Sequence, residues 1–276
     1  MISSFAIALL ALYSVGIALH SVGFVLVLRI VRKGSSPYNQ GQRLFLLHLI
    51  FIEMGACSMF FITRILFEVN VGRKFAVALY VFLRTSGYIN YIGSMLLLTL
   101  DRVLIVRLNL RYPFYMTTRK ILVAISITFL LGNLYYGIIM LVEAARPYIY
   151  LFLVVTSFMF LVCVFCSYLW IFRKVSTSGQ KLQSSINESQ PKSEIRPIRC
   201  KRTANLAAPL LIVITFVLFW VAPLQVSYWT NSQDWNAPHL VLHPLGFISD
   251  AVIYIFFYPA IYKELKKMLC VLNKAD

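Results

Sequence analysis

Seven long apolar runs constrain this chain more than any other feature of its sequence. They cover residues 5–28, 44–67, 75–100, 121–145, 148–172, 204–230 and 240–262. A run of about 20 apolar residues can cross a bilayer as an α-helix, because each residue adds about 1.5 Å along the helix axis. Backbone amides find no water inside lipid, so such runs must form helices. The sequence therefore predicts an all-α integral membrane protein, a seven-transmembrane helix bundle.

The composition agrees with a membrane protein and argues against a nucleic-acid partner. Hydrophobic residues make up 60% of the chain and charged residues 13%, with a mean hydropathy of +0.77. Soluble domains carry about 25% charged residues. The net charge of +16 would suit nucleic acid only if the basic residues formed one face of a soluble domain. They lie instead in short gaps between the apolar runs, so we expect no nucleic-acid binding.

The basic residues also predict how the chain is oriented in the membrane. Of the 26 Lys and Arg residues, 21 fall in the gaps after the first, third and fifth runs or after the seventh. Cytoplasmic segments carry such an excess of Lys and Arg. The N-terminus is therefore predicted to be extracellular and the C-terminus cytoplasmic. The polar stretch 175–200 becomes a long cytoplasmic loop, which its composition predicts to be largely disordered.

Residues 263–276 are predicted to form a cytoplasmic tail beyond the seven-span bundle of residues 1–262. Apolar residues recur there at the spacing of one helix face: Leu265, Met268, Leu269 and Leu272. The tail is predicted to form a short amphipathic helix on the membrane surface, in contact with membrane lipids. Cys270 is either a palmitoylation site or a free thiol at this interface. The five cysteines all lie in spans, in the long loop or in the tail, so no extracellular disulfide is expected.

Three ionisable residues lie well inside predicted spans. Glu53 lies about 14 Å into the second span, and Asp250 lies about 18 Å from the cytoplasmic end of the seventh. Arg84 lies about 27 Å from Arg102, in the outer half of the third span. Ionisable groups at such depths usually face the bundle interior, either as polar contacts between helices or as functional groups.

Four segments carry motifs that occur together in one known family. The run 94–105 ends the third span on Asp101 and Arg102, and the run 44–53 places Glu53 in the second. The sixth span holds Phe216, Trp220 and Pro223, and the seventh ends on Tyr258, Pro259 and Tyr262. In this order the motifs resemble those of rhodopsin-like G-protein-coupled receptors. A basic amphipathic helix after the seventh span fits the same family.

The chain departs from the family pattern at several positions. Val103 stands where the third-helix motif usually has Tyr, and Glu53 replaces the usual Asp. One extra residue separates Trp220 from Pro223. Tyr258 replaces the usual Asn, and the extracellular Cys pair of the family is absent.

The resemblance implies a receptor in the plasma membrane that passes an extracellular signal to a heterotrimeric G protein. Asp101 and Arg102 would hold the resting state, and Arg102 would later contact the G protein. Trp220, Pro223, Tyr258, Pro259 and Tyr262 would belong to the conformational switch. Glu53 corresponds to a position that binds sodium in many members. No enzymatic activity and no cofactor are implied.

Other classes of membrane protein fit the sequence less well. A secondary transporter is the main alternative, but it predicts repeated halves and broken helices in matched positions, which the sequence lacks. A membrane enzyme needs clustered His, Cys or carboxylate side chains, whereas the four histidines lie at different depths. A light-sensing opsin needs a Lys in the seventh span, and no Lys occurs between Arg202 and Lys263.

The ligand class is suggested by the cation in the outer half of the third span. A buried unpaired charge is costly, so Arg84 needs a partner. Either Asp250 or Glu53 neutralises it internally, or a ligand carries the negative charge. Arg suits carboxylate, phosphate and sulfate groups because its planar fork binds them with two hydrogen bonds. Tyr88, Tyr91 and Trp229 are the candidate residues for the rest of an anion-binding or carbonyl-binding pocket.

Overall fold

The described part of the chain is a bundle of helices. A computed structural model describes residues 4–33, 37–70, 72–108, 111–141, 149–186, 210–223 and 236–272, and none of these residues is in a strand. The ten α-helices are α1 (Ser4–Arg32), α2 (Pro37–Val69), α3 (Arg73–Phe82), α4 (Tyr88–Leu108), α5 (Tyr112–Tyr115), α6 (Thr118–Leu141), α7 (Ile149–Ile186), α8 (210–223), α9 (Asn236–Phe257) and α10 (Pro259–Leu272).

Each predicted span is helical over the part of it that the structure describes, except at Tyr258. There the predicted seventh span, 240–262, bends sharply, so that α9 ends at Phe257 and α10 begins at Pro259. By length and apolar composition alone, Ser4–Arg32, Gln40–Val69, Lys74–Leu108 and Leu151–Lys174 can each cross a membrane. Val241–Phe257 and Pro259–Cys270 together would be a fifth, bent by 81°, and Leu210–Val221 is a shorter apolar helix. Large apolar side chains such as Phe158 and Phe165, 64% and 65% exposed, point outward where only lipid can cover them. The prediction of an all-α membrane bundle is confirmed.

The third span lies at the centre of the bundle and contains one π-helical turn between two α-helical segments. A π-helical turn, Leu83–Gly87, joins α3 to α4, so the span is continuous but locally widened. The helix α4 packs against α2, α6 and α7, while α1 packs against α2 and α9. Between α2 and α3 the chain reverses through Asn70 and Gly72, whose φ angles of 55° and 61° lie in the left-handed region. Asn and Gly adopt this conformation most readily.

Close approach of α1 and α2 depends on a small residue. A Cβ atom on Gly16 would lie 3.0 Å from the Sγ atom of Cys57, closer than a side chain normally packs. Helices in lipid gain no hydrophobic drive from each other, so they associate by such tight backbone packing. Gly16 therefore helps to fix the position of α1 against the rest of the bundle.

The predicted cytoplasmic loop 175–200 differs from the expectation of general disorder. The helix α7 continues through residue 186, and the hydroxyl of Thr177 donates to the carbonyl of Arg173 within it, at 2.6 Å. Composition alone suggested disorder, but no proline interrupts the helix before Pro191. The helical hydrogen-bond ladder thus extends past the apolar segment, and residues 187–200 lie outside the described part.

The amphipathic tail helix forms as the sequence predicts. α10 begins at Pro259, immediately after the sharp bend that ends α9, and proline is favoured at the first position of a helix because it lacks an N–H. Leu265 and Met268 pack against the core of the bundle. Leu269 and Cys270 are exposed, and Cys270 is a free thiol. Lys33 pairs with the buried carboxylate of Glu264 and ties α10 to the end of α1.

Candidate functional site

Arg102 lies near the C-terminal end of α4, inside the bundle. Its side chain is almost fully buried, and its Nη2 atom lies 3.6 Å from Oδ2 of Asp101. That distance is too long for a strong hydrogen bond. Asp101 instead accepts a hydrogen bond at Oδ1 from the hydroxyl of Tyr112, which is fully buried. The predicted Asp101–Arg102 pair is therefore present, but Tyr112 competes for the carboxylate.

Two buried tyrosines from other parts of the bundle lie near Arg102. They are Tyr168 on α7 and Tyr258, which follows the last residue of α9, and both are near enough to interact electrostatically with the guanidinium group. Neither hydroxyl has a hydrogen-bond partner in the described part of the chain. Tyr262 points elsewhere: it is 48% exposed, and its ring lies 6.3 Å from that of Phe256. Of the two predicted switch tyrosines, Tyr258 is thus the buried one that lies near Arg102.

Glu53 and Asp250 meet in the middle of the bundle. The Oε1 atom of Glu53 accepts a hydrogen bond from the hydroxyl of Tyr254 at 2.7 Å. Its Oε2 atom lies 3.5 Å from Nδ1 of His20. Asp250 accepts hydrogen bonds from the hydroxyls of Tyr91, at 2.8 Å, and Thr215. Because the two carboxyl groups also interact with each other, one polar network joins α1, α2, α4, α8 and α9.

This network is the place where the sequence predicts sodium. Carboxylate and hydroxyl oxygens are the ligands that hard cations prefer. Among the described residues, no three His, Cys, Asp or Glu side chains are grouped closely enough to hold a metal ion. A cation bound to Glu53 would therefore have to draw on Asp250 and on neutral oxygens. Sodium binding stays a prediction.

Trp220 lies at the centre of an aromatic stack that joins three helices. Its ring stacks on His243 at 4.4 Å and on Tyr91 at 6.0 Å, and Phe247 meets it edge-on at 5.3 Å. Tyr91 also stacks on Phe216 at 4.8 Å. A rotation of the Trp220 ring would therefore disturb contacts with both α4 and α9.

The extra residue between Trp220 and Pro223 coincides with a second π-helical turn. In this turn, Val217–Val221, the N–H of Ala222 donates to the carbonyl of Val217, five residues back. A π turn holds one residue more than the α-helical turn it replaces, and such turns are frequent at functional sites. The turn absorbs the added residue and leaves both Trp220 and Pro223 buried.

The predicted ligand-binding residues are only partly described. Tyr88 and Tyr91 are buried, and their hydroxyls contact Ser157 and Asp250 respectively. The side chain of Arg84 and the whole of Trp229 lie outside the described residues, so the partner of Arg84 is untested. The backbone of Arg84 belongs to the π turn of the third span.

Sequence reasoning missed the side chains that complete these clusters. They are His20, Tyr112, Tyr168, Thr215, His243 and Tyr254. Tyrosine counts as apolar in a hydropathy profile, and an uncharged His or Thr hardly lowers it. The available signal was the presence of His, Thr and Tyr side chains inside apolar spans, because their polar atoms must find hydrogen-bond partners where lipid offers none.

Comparison with known proteins identifies the fold. No protein-family model matches this chain, and no curated protein matches it. Among solved structures, the chain is similar to the crystal structure of squid rhodopsin, with a TM-score of 0.75 and 16% sequence identity. The match covers 98% of this chain and 85% of that chain. The chain therefore shares the fold of squid rhodopsin over nearly its whole length.

Proposed function

We propose that this chain is a receptor of the plasma membrane that passes an extracellular ligand signal to a heterotrimeric G protein. The proposal rests on the burial of Arg102, a cation at the predicted cytoplasmic end of the bundle. Within the described part of the chain, its one ion-pair contact is to Asp101, at 3.6 Å. A cation so weakly held in one conformation can take new partners in another. No observation favours the alternative of a secondary transporter.

The mechanism is a shift between two conformations of the bundle. A ligand moves this equilibrium only if it binds one conformation more tightly than the other. Trp220 couples the centre of the bundle to α8, and Pro223 removes a backbone hydrogen bond at which α8 can bend. Outward movement of α8 would open a cleft beside Arg102, where Tyr168 and Tyr258 offer unpaired hydroxyls.

The test is to express the chain with a panel of G-protein biosensors and to measure coupling without added ligand. Arg102→Ala should abolish coupling while surface expression is retained. Arg107→Ala is the matched control, because Arg107 is an exposed residue five positions further along the same helix. Full coupling by the Arg102 variant would contradict the mechanism. So would an absence of coupling to every G protein in the panel.

We further propose an anionic ligand, for which Arg84 would supply the countercharge in the outer half of the third span. Tyr88, Tyr91 and Trp229 would contribute to the pocket wall. Light-sensing is not proposed, because the seventh helix has no Lys. Comparison of Arg84→Gln with the native chain across acidic, neutral and amine ligands tests the idea. It fails if an amine is the strongest agonist and the variant responds to that amine as well as the native chain does.

The tail of residues 263–276 is proposed as a separate membrane-surface unit beyond the bundle of residues 1–262. Cys270 would carry a palmitoyl group there, since it is exposed on the amphipathic helix. Glu53 would hold a sodium ion in the resting state. Incorporation of labelled palmitate, compared between the native chain and Cys270→Ser, tests the lipid anchor directly.

A further inference from the structure

A cavity of about 200 Å³ lies between α1, α2 and the junction of α9 with α10. Its apolar walls come from α1 and α2 and include Val27 and Leu46. Its polar lining consists of Gln42, Arg43 and Tyr258, and the first turn of α10 closes it. The cavity is separate from the Trp220 stack and from the Glu53–Asp250 network, which lie deeper in the bundle.

The cavity has a positive electrostatic character from two sources. Arg43 makes only a long hydrogen bond, 3.4 Å from its Nη1 atom to the carbonyl of Ile30. In the described part of the chain it forms no ion pair, and the one acidic residue on α10, Glu264, is paired with Lys33. The cavity also meets the N-terminal end of α10, a helix of 14 residues, where the helix dipole favours negative charge.

The N-terminal end of α10 contributes its helix dipole rather than free backbone N–H donors. The N–H groups of Ile261 and Tyr262 both donate to the carbonyl of Tyr258, at 3.0 Å each. Pro259 has no N–H to offer. The N–H groups of Ile261 and Tyr262 are thus occupied, and direct hydrogen bonds to a ligand come chiefly from side chains.

The hydroxyl of Tyr258 is an unsatisfied donor in the cavity wall. The side chain is only 6% exposed, and its hydroxyl has no hydrogen-bond partner in the described part of the chain, although Gln42 lies beside it. A buried hydroxyl without a partner costs free energy, so such groups normally bind water or a ligand. The unpaired hydroxyl is independent of the positive charge of Arg43, and it indicates a ligand in the same cavity.

We propose that this cavity binds a phosphate monoester. The Arg43 guanidinium provides a planar fork for two phosphate oxygens, and the Tyr258 hydroxyl and Gln42 amide provide donors for the others. The N-terminal end of α10 stabilises the negative charge. A phosphate monoester has three terminal oxygens, one more than a carboxylate, so Tyr258 and Gln42 can bind an oxygen that the guanidinium fork leaves free. The phosphate is carried either by a lipid headgroup at the membrane surface or by a soluble ester, and the binding does not depend on G-protein coupling.

The experiment uses the full chain in nanodiscs of phosphatidylcholine. In the soluble arm, calorimetry measures the binding of inositol monophosphate, with inositol as the uncharged control. In the lipid arm, nanodiscs doped with phosphatidylinositol phosphate are compared with nanodiscs doped with phosphatidylserine to the same charge density, and native mass spectrometry measures the retained lipid.

Four substitutions separate a specific phosphate site from non-specific electrostatic attraction. Arg43→Gln should lower affinity about tenfold or more, since a charge-assisted hydrogen bond is lost. Tyr258→Phe should lower it about fivefold, the effect of one neutral hydrogen bond. Arg32→Gln removes an exposed cation near the same face that does not line the cavity, and it should leave affinity unchanged. Arg43→Lys keeps the charge and should retain more affinity than Arg43→Gln, which excludes a folding defect as the cause.

The outcomes decide both the site and the source of the phosphate. Saturable binding in the soluble arm, lowered by Arg43→Gln and not by Arg32→Gln, supports a phosphate site. Binding confined to the lipid arm with the same variant pattern supports it as well and identifies a headgroup. Equal losses for Arg43→Gln and Arg32→Gln overturn the proposal, because they indicate diffuse attraction. Equal retention of phosphatidylserine, or binding in neither arm, also overturns it.

Discussion

At the scale of single residues, the contacts of Asp101 decide how firmly Arg102 is held. The carboxylate is shared between a hydrogen bond from Tyr112 and a 3.6 Å contact with the guanidinium. A buried carboxylate beside a buried cation stabilises the conformation in which the two lie together. No acidic residue begins the sixth predicted span, so Asp101 is the nearest countercharge that the sequence provides.

Asp101→Asn should raise ligand-independent coupling. The amide keeps the size of the side chain and can still accept a hydrogen bond from Tyr112, but it removes the charge that retains Arg102. Loss of about 1 kcal/mol of resting-state stabilisation shifts a two-state equilibrium about fivefold. Basal signal in a G-protein biosensor assay, normalised to surface expression, is the measurement. Basal coupling equal to or below that of the native chain would contradict this role for Asp101.

Tyr258 and Tyr262 should differ in importance although both belong to the seventh-span motif. Tyr258→Phe should reduce coupling about fivefold, because a hydrogen bond of about 1 kcal/mol to Arg102 or its surroundings cannot form in the active state. Tyr262→Phe should change it by less, because the side chain of Tyr262 is 48% exposed in this conformation. Dose–response curves for the two variants at matched expression make the comparison. A larger loss for Tyr262→Phe would show that Tyr262 turns inward on activation and that Tyr258 is not the switch.

At the scale of elements, α10 is attached to the bundle by one ion pair and a few apolar contacts. Lys33 at the end of α1 pairs with Glu264, and Leu265 and Met268 pack against the core. The hydrogen bond and the charge of Lys33 hold the pKa of Glu264 below its usual range. The carboxylate therefore stays ionised and paired at neutral pH. Because the pKa is lowered in the folded state, the attachment is lost only as the pH falls through that lowered value, below the ordinary Glu pKa of about 4.3.

Glu264→Gln should loosen α10 at neutral pH without unfolding the bundle. Amide hydrogen exchange within α10 should become faster, and exchange in α4 should not change. At a pH below the lowered pKa, native and variant chains should exchange α10 at the same rate. Glu68→Gln is the control, since it breaks the Arg64–Glu68 pair within α2 instead. Unchanged α10 exchange at neutral pH would mean that the apolar contacts alone hold the helix.

The elements also show which details the sequence can predict. The amphipathic tail helix follows from the spacing of Leu265 and Met268, which is a local signal. Its start was placed too late, since the sequence predicted the seventh span to end at Tyr262 whereas α10 begins at Pro259. The π turn at Val217–Val221 was visible only as one extra residue between Trp220 and Pro223, without the geometry that absorbs it. The extension of α7 through Ile186 was missed because composition suggests disorder where helical hydrogen bonding continues.

At the scale of the whole molecule, lipid makes the fold predictable and leaves the site harder to predict. Seven apolar runs and the cost of unpaired amides in lipid leave few architectures other than a helical bundle. The hydrogen-bond partners of Glu53 and Asp250 could not be predicted from the sequence. Tyr254 and Thr215 lie on other helices than the carboxylates they contact, and only helix packing brings each pair together. Depth along a helix could be estimated from the sequence, but rotation about the helix axis could not.

The last prediction concerns the orientation of this bundle in the membrane. Segments predicted to be cytoplasmic hold 21 of the 26 basic residues, which predicts an extracellular N-terminus and a cytoplasmic C-terminus. Glycosylation tags inserted at the N-terminus or near residues 70–72, 142–148 and 231–234 should be modified. Tags near residues 34–36, 109–111 and 187–200, or at the C-terminus, should not be. The sequence supplies an internal control, because Asn187-Glu-Ser189 is a glycosylation acceptor in the predicted cytoplasmic loop. Glycan on Asn187 in the native chain would place that loop outside and invert the topology, and Arg102 would then be unable to reach a cytoplasmic G protein.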